Sequence, residues 1–250
     1  MSLDNNPLEI LYQDEHLVAI NKPCGLLVHR SPIDRHETRF AIQELRNQIN
    51  QYVYPAHRLD KPTSGVLLFA LNSATAKQLA LAFSQHQISK SYLAVVRGYS
   101  PASGHIDHPL TEEPDKRIAR SKPAAAQTAI TDFECLAQYE LPVEIESYPS
   151  SRYSLVLAKP QTGRRHQLRR HFKHISHPII GDAKHGRGRH NRYFAEHLNC
   201  PRLLLHAAEL AITHPVHGHK LYINAPLDPT FQQLLQRFCW QNSLPNKELT

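Results

Sequence analysis

Residues 57–71 read HRLDKPTSGVLLFAL, a polar loop that runs without a break into an apolar stretch. The second half, GVLLFAL, is short, continuous and apolar, the pattern of a buried strand. In the first half one carboxylate, Asp60, stands between the cations Arg58 and Lys61, and Pro62, Thr63, Ser64 and Gly65 follow. The stretch therefore places polar groups at the mouth of a buried strand. Taken alone, Asp60 reads as an ordinary turn aspartate, bonded to its own loop or paired with Arg58.

Before this stretch, LEILYQDEHLVAINKP alternates β-favouring residues on both sides of Gln13–Glu15 and predicts two short strands about a polar turn. Phe40, Ile42, Leu45 and Ile49 in TRFAIQELRNQIN recur at helical spacing and predict a helix over 38–50. After it, SATAKQLALAFSQHQ predicts a helix capped by Asn72 or Ser73, and KSYLAVVRG a strand. Residues 99–123 are rich in proline, glycine and charge and read as loops, with one short strand at their start. AAQTAITDFECLAQY and SRYSLVLAKP read as strands, and RRHQLRRHFKHI as a helix burying Leu168, Phe172 and Ile175. RLLLHAAELAITHP and HKLYINAP form a hairpin bridged by His214 to Gly218. LDPTFQQLLQRFCW is a last helix, begun by Asp228 with Pro229 in its first turn. Many strands joined by short turns, with helices between only some of them, predict an α+β fold: a mixed, largely antiparallel central sheet with flanking helices and loops. Without a linker or repeat, residues 1–250 are expected to form a single catalytic domain.

The four cysteines, Cys24, Cys135, Cys200 and Cys239, are far apart and form no C-x-x-C pair, which argues against a disulfide framework or zinc knuckle. No apolar run approaches a membrane span, and MSLDNNPLEILYQDE lacks the regions of a signal peptide, so a cytoplasmic protein is expected. The net charge is +7 and the pI near 9.3, with 18 histidines in addition. Excess positive charge favours a phosphate-rich partner through Coulomb attraction and counterion release. The charge is concentrated. In GRRHQLRRHFKHISHPIIGDAKHGRGRHNR, residues 163–192, Arg164, Arg165, Arg169, Arg170, Lys173, Lys184, Arg187, Arg189 and Arg192 are opposed only by Asp182.

Other chemistries fit poorly. His166, His171, His174 and His177 crowd the basic segment, but H-E-x-x-H is absent, carboxylates are scarce, and a helix sets His166 and His171 about 140° apart. No metal and no organic cofactor is expected. Ser64 lies in T-S-G rather than in the G-x-S-x-G elbow of a hydrolase, and neither nucleotide-binding glycine motif is present.

Three separated stretches combine polar groups with element ends: HRLDKPTSG, KSYLAVVRG and TGRRHQLRRH. HRLDKPTSG resembles, without interruption, the H-R-L-D-x-x-T-S-G signature of the RluA-type pseudouridine synthases. KPCGLLVH, KSYLAVVRG, TGRRHQLRRH, HPIIGD and LLLHAAELAITHP are similar to the other blocks of that family and come in its order. The resemblance implies an isomerase that detaches uracil at N1 and rejoins it to the sugar through C5, with Asp60 as the essential aspartate. It also implies Arg169 as the cation that keeps Asp60 charged and Tyr92 as the ring that stacks on the uracil and takes part in proton transfer. Arg58 is implied to enter the space left by the flipped nucleotide, and Leu205 to cover the base. Lys61, Arg164 and Arg165 are candidates for phosphate contacts, and Thr63, Ser64 and Gly65 for loop geometry. HPIIGDAKHGRGRHNR resembles members acting on uridine 65 of tRNA, at the T-stem near the acceptor region. Those members imply tRNA as the partner; the S4-like RNA-binding domain that some family members carry is not expected, since the matching blocks leave no room for it, and no obligate protein partner is evident.

Overall fold

The computed structural model describes residues 7–30, 36–111, 125–245 and 249. In chain order its elements are β1 (Glu9–Gln13), β2 (Leu17–Lys22), α1 (Ala41–Ile49), β3 (Tyr54–Pro55), β4 (Ser64–Ala70), α2 (Ser73–Ser84) and β5 (Ser89–Arg97). They continue with β6 (Ser103–Asp107), β7 (Ile130–Leu141), β8 (Ser151–Pro160), α3 (Gln167–His174), α4 (Gly188–His197), β9 (Leu205–Thr213), β10 (Lys220–Asn224) and α5 (Pro229–Arg237). The chain divides into two compact units: Met1–Lys90 with Leu205–Gln236 and Leu244–Thr250, and Ser91–Leu204 with Arg237–Ser243.

In the first unit β4 is buried along its whole length. Burying Leu67, Leu68 and Phe69 stabilises the fold by about 2 kcal/mol each. β2 lies antiparallel to β4 on one side, and the start of β9 lies parallel on the other. β1 pairs with β2, and β10 with β9 across the predicted hairpin. Leu17, Val66, Leu68, Leu79, Leu210, Ile212 and Ile223 form its core. Two helices start on the predicted caps. Asn72 Oδ1 accepts the N–H of Thr75 at 2.9 Å, and Asp228 Oδ1 accepts those of Thr230 and Phe231 at 3.1 and 3.3 Å.

The second unit holds an antiparallel sheet in the order β5-β8-β7-β6, with a bulge in β7 between Cys135 and Ala137. β7 starts later than the sequence predicts, because Gln127 instead makes an isolated bridge to Leu110. Phe172 of α3 meets Phe133 of β7 edge-on, with ring centroids 5.5 Å apart; of the predicted stripe, Leu168 and Phe172 are buried, while Ile175, the C-cap residue, is half-buried. Helix α4 is not foreseen. It is held by Phe194, packed on Tyr153 at 4.9 Å, and by His190, whose ring bonds the Tyr153 hydroxyl at 2.8 Å and Arg97 Nε at 3.1 Å. Residues 112–123 of the proline-rich stretch lie outside the described residues. The four cysteines are free thiols, and no helix among the described residues is long and apolar enough to cross a membrane.

Candidate active site

The loop that carries Asp60 is fixed from several directions. Its own turn closes where Thr63 N–H donates to the Asp60 carbonyl at 3.0 Å. The carbonyl of Lys61 accepts the N–H of Gly25 at 2.9 Å, and Cys24 Sγ donates to the carbonyl of Pro62 at 3.2 Å. Lys22, fully buried, threads its ammonium between the two loops and donates to Leu26, Pro23 and Lys61 carbonyls at 2.8, 2.9 and 3.2 Å. A buried cation spread over three carbonyl dipoles ties KPCG to LDKP, two stretches that the sequence offers only as separate blocks.

Ser64 and Gly65 complete the clamp. Ala225 accepts the Nε2–H of His206 at 3.0 Å, so Nδ1 carries the lone pair, and the Ser64 hydroxyl donates to it at 2.7 Å. A serine beside a histidine begins a hydrolase site, but here both are buried, at 2% and 0% exposure, and the far nitrogen meets a carbonyl instead of a carboxylate. The pair is a strut between β4 and β9. Gly65 has φ +109, and a Cβ there would lie 2.1 Å from the carbonyl oxygen of Ala207. Only glycine lets the two parallel strands approach at this point. His57, at the start of the loop, accepts the N–H of Leu68 at 3.1 Å and stacks on Phe83. Burial, with the charge of Lys90 adding, pulls its pKa down to about 3, so the ring is neutral and able to accept.

Asp60 is half-buried on this loop. Arg58 is exposed and makes no hydrogen bond or ion pair among the described residues. Lys61 Nζ meets Glu37 at 2.5 Å, both partly exposed. Leu205 is buried at the first position of β9.

Tyr92, Arg164, Arg165 and Arg169 belong to the second unit. Tyr92 is half-buried on β5, opposite Ala158 of β8. Arg164 is held by its Nε on the carbonyl of Thr128 at 3.0 Å, while Arg165 is exposed. Arg169 is buried on α3, where Asp182 accepts its Nε at 2.7 Å and its Nη2 at 2.8 Å. The helix is seated by Gln167, whose amide bonds Thr162, Arg164, Ile130 and Thr131 and leaves none of its polar atoms idle. Asp182, read in the sequence as the lone counter-charge of a basic segment, is thus a buried partner of Arg169. The six cations Arg165, Lys173, Lys184, Arg187, Arg189 and Arg192 are the exposed ones in that segment.

The histidines of the basic segment part company, but not by helical spacing, because His166 is the left-handed N-cap residue of α3 and lies outside the helix that carries His171. His166 Nδ1 lies 3.1 Å from His185 Nε2, whereas His171 lies between Thr131 and the carbonyl of His108. Asp14, His214 and His217, in the first unit, place ligand-type atoms within 4.8 Å of one another. The hydrogen bonds argue against a metal there. His214 Nδ1 accepts the N–H groups of Val216 and His217 at 3.2 and 3.0 Å, and Nε2 donates to Asp14 at 2.8 Å. A neutral metal-bound histidine would have to donate from its other nitrogen, the reverse of this arrangement. Burial alone would raise Asp14, but bonds from Tyr12, the N–H groups of His16 and Leu17, and His214 hold it at about 2. The group locks two turns together.

Residues 16–174 match the RNA pseudouridylate synthase family. This chain belongs to that family. It is 53% identical over 244 residues to tRNA pseudouridine synthase C of Yersinia pestis, covering 96% of this chain and 95% of that protein. It is 50% identical over 239 residues to tRNA pseudouridine synthase C of Vibrio vulnificus, covering 95% and 98%. Among solved structures, human RNA pseudouridylate synthase domain containing 4 aligns with TM-score 0.68 and 27% identity over 92% of this chain and 93% of that one. Human RNA pseudouridylate synthase domain containing 1 gives 0.67 and 26% over 93% and 94%.

Proposed function

We propose that this enzyme converts uridine 65 of tRNA to pseudouridine, with Asp60 as the essential group, acting as one catalytic domain in the cytoplasm. The observation that carries the reading is the clamped loop: four hydrogen bonds to the carbonyls of Asp60, Lys61 and Pro62, and a fifth from the Ser64 hydroxyl, fix the chain from Asp60 to Ser64. Such a carboxylate is pre-oriented, as a group that must meet one sugar carbon has to be. The near full-length similarity to proteins named tRNA pseudouridine synthase C supports the choice of RNA.

The reaction breaks the N1–C1′ bond, forms C5–C1′, and moves one proton from C5 to the N1 side, with no redox change and no added group. Asp60 acts by stabilising charge at C1′, by attacking the sugar or ring, or by assisting loss of the C2′ proton. Arg169 keeps the carboxylate charged once the base excludes water, and Tyr92 stacks on the uracil and handles the proton. A uridine inside a stem must be extruded before any of this, and Arg58, exposed beside Asp60, fills the gap with a planar cation that stacks and donates. Leu205 covers the base, and Lys61, Arg164 and Arg165 meet phosphates of the T-stem.

The test is incubation of the purified enzyme with unmodified tRNA transcripts, followed by pseudouridine mapping at single-nucleotide resolution. One new pseudouridine at position 65 is expected. Modification confined to ribosomal RNA, or none in any RNA, would overturn the reading.

A further inference from the structure

Lys61, the residue after Asp60, is engaged before any RNA arrives. Its Nζ lies 2.5 Å from Oε1 of Glu37, which comes from the stretch ahead of α1. The pair is open to water, with the two side chains 40% and 35% exposed. An ion pair this exposed contributes little to stability, because water screens it and two long side chains give up freedom to hold it.

The backbone on both sides is held without it. The carbonyl of Lys61 accepts the N–H of Gly25 and the ammonium of Lys22. On the other side Arg39 grips Glu44 through Nε and Nη2 at 2.5 and 2.8 Å. The N–H groups of Ala41 and Ile42 donate to the carbonyls of Leu27 and Val28 at 2.8 and 3.1 Å. Opening the pair therefore moves two side chains and leaves the clamped loop in place. A carboxylate and a phosphate offer an ammonium the same chemistry, anionic oxygens that accept its N–H donors.

We propose that Glu37 stands in for an RNA phosphate on Lys61, and that tRNA binds by exchanging one partner of this lysine for the other. Glu37 is then a specificity-determining residue. An RNA that brings no phosphate beside Asp60 gains nothing from Lys61, whose ammonium stays with Glu37; a phosphate seated there displaces the carboxylate into water. This rests on the reading that Lys61 meets a phosphate of tRNA.

The test is a double-mutant cycle in the affinity for unmodified tRNA at one fixed salt concentration. Glu37→Gln keeps the shape and removes the charge, and should tighten binding about fivefold, a direction that partial misfolding does not produce. In a Lys61→Met background, which keeps the alkyl stem, Glu37→Gln should change affinity by less than about 1.5-fold. Lys61→Met alone should lower the slope of log affinity against log salt by about 1. Unchanged or weaker binding by Glu37→Gln would overturn the inference. So would a fivefold gain that persists with Lys61→Met, because Glu37 would then only repel RNA. A salt slope that Lys61→Met leaves unchanged would sink the reading of Lys61 itself, and the inference with it.

Discussion

The hydroxyl of Ser64 donates to Nδ1 of His206 across 2.7 Å, both side chains sealed from solvent, at the point where β4 and β9 run parallel. The bond ties the loop of Asp60 to a strand more than a hundred residues away. Ser64→Ala leaves a buried imidazole nitrogen unpaired and should cost about 1–3 kcal/mol. Gly65→Ala adds a methyl group against the Ala207 carbonyl and forces a left-handed backbone on alanine, so it should destabilise more than Ser64→Ala. Urea unfolding of the two variants checks the order, and equal stability with wild type would contradict the strut.

Acid should unfold the protein through its buried histidines. His171 is fully buried, and burial first, with the charges of His108, His174 and Arg170 beside it, holds its pKa down to about 4. The unfolded chain takes up this proton near pH 6.5 and the folded one does not. Stability is therefore lost as pH falls from 6.5 toward 4, at about 1.4 kcal/mol per pH unit for this residue. His57 acts in the same direction, and Asp14 adds a loss only below its ordinary value of 3.8, down to about 2. Denaturant titrations at pH 7.5, 6 and 5 should show the decline, and His171→Gln should flatten it. A pH-independent midpoint would remove this account.

The exposed arginines should act through salt. Arg187, Arg189 and Arg192 lie at and along α4, which His190 and Phe194 anchor from its buried face. Replacing all three by alanine should lower the slope of log affinity against log salt by up to about 3, without changing which uridine is modified. An unchanged slope would take α4 out of the RNA contact.

Much of this was legible in the sequence, for reasons that differ from residue to residue. The β1-β2 and β9-β10 hairpins, α2 with Asn72 and α5 with Asp228 announce themselves by local pattern and capping chemistry, which depend on near neighbours only. Helix α4 does not, because GRGRHNRYFAEH is rich in like charge and opens with two glycines, Gly186 and Gly188; its helicity comes from packing His190 and Phe194, whose i, i+4 spacing was the available signal. The burial of Asp182 and Lys22 was missed for a related reason. A lone acid among cations reads as a surface counter-charge, and a lysine after an apolar run reads as the end of a strand. Their burial is decided by long-range contacts that no local window contains.

The central claim is that Asp60 carries the chemistry. Its most direct test is single-turnover pseudouridine formation by Asp60→Asn on unmodified tRNA, with binding measured on the same preparation. The account predicts wild-type tRNA affinity and no pseudouridine above the enzyme-free control. Formation of pseudouridine by Asp60→Asn at the wild-type rate would contradict it.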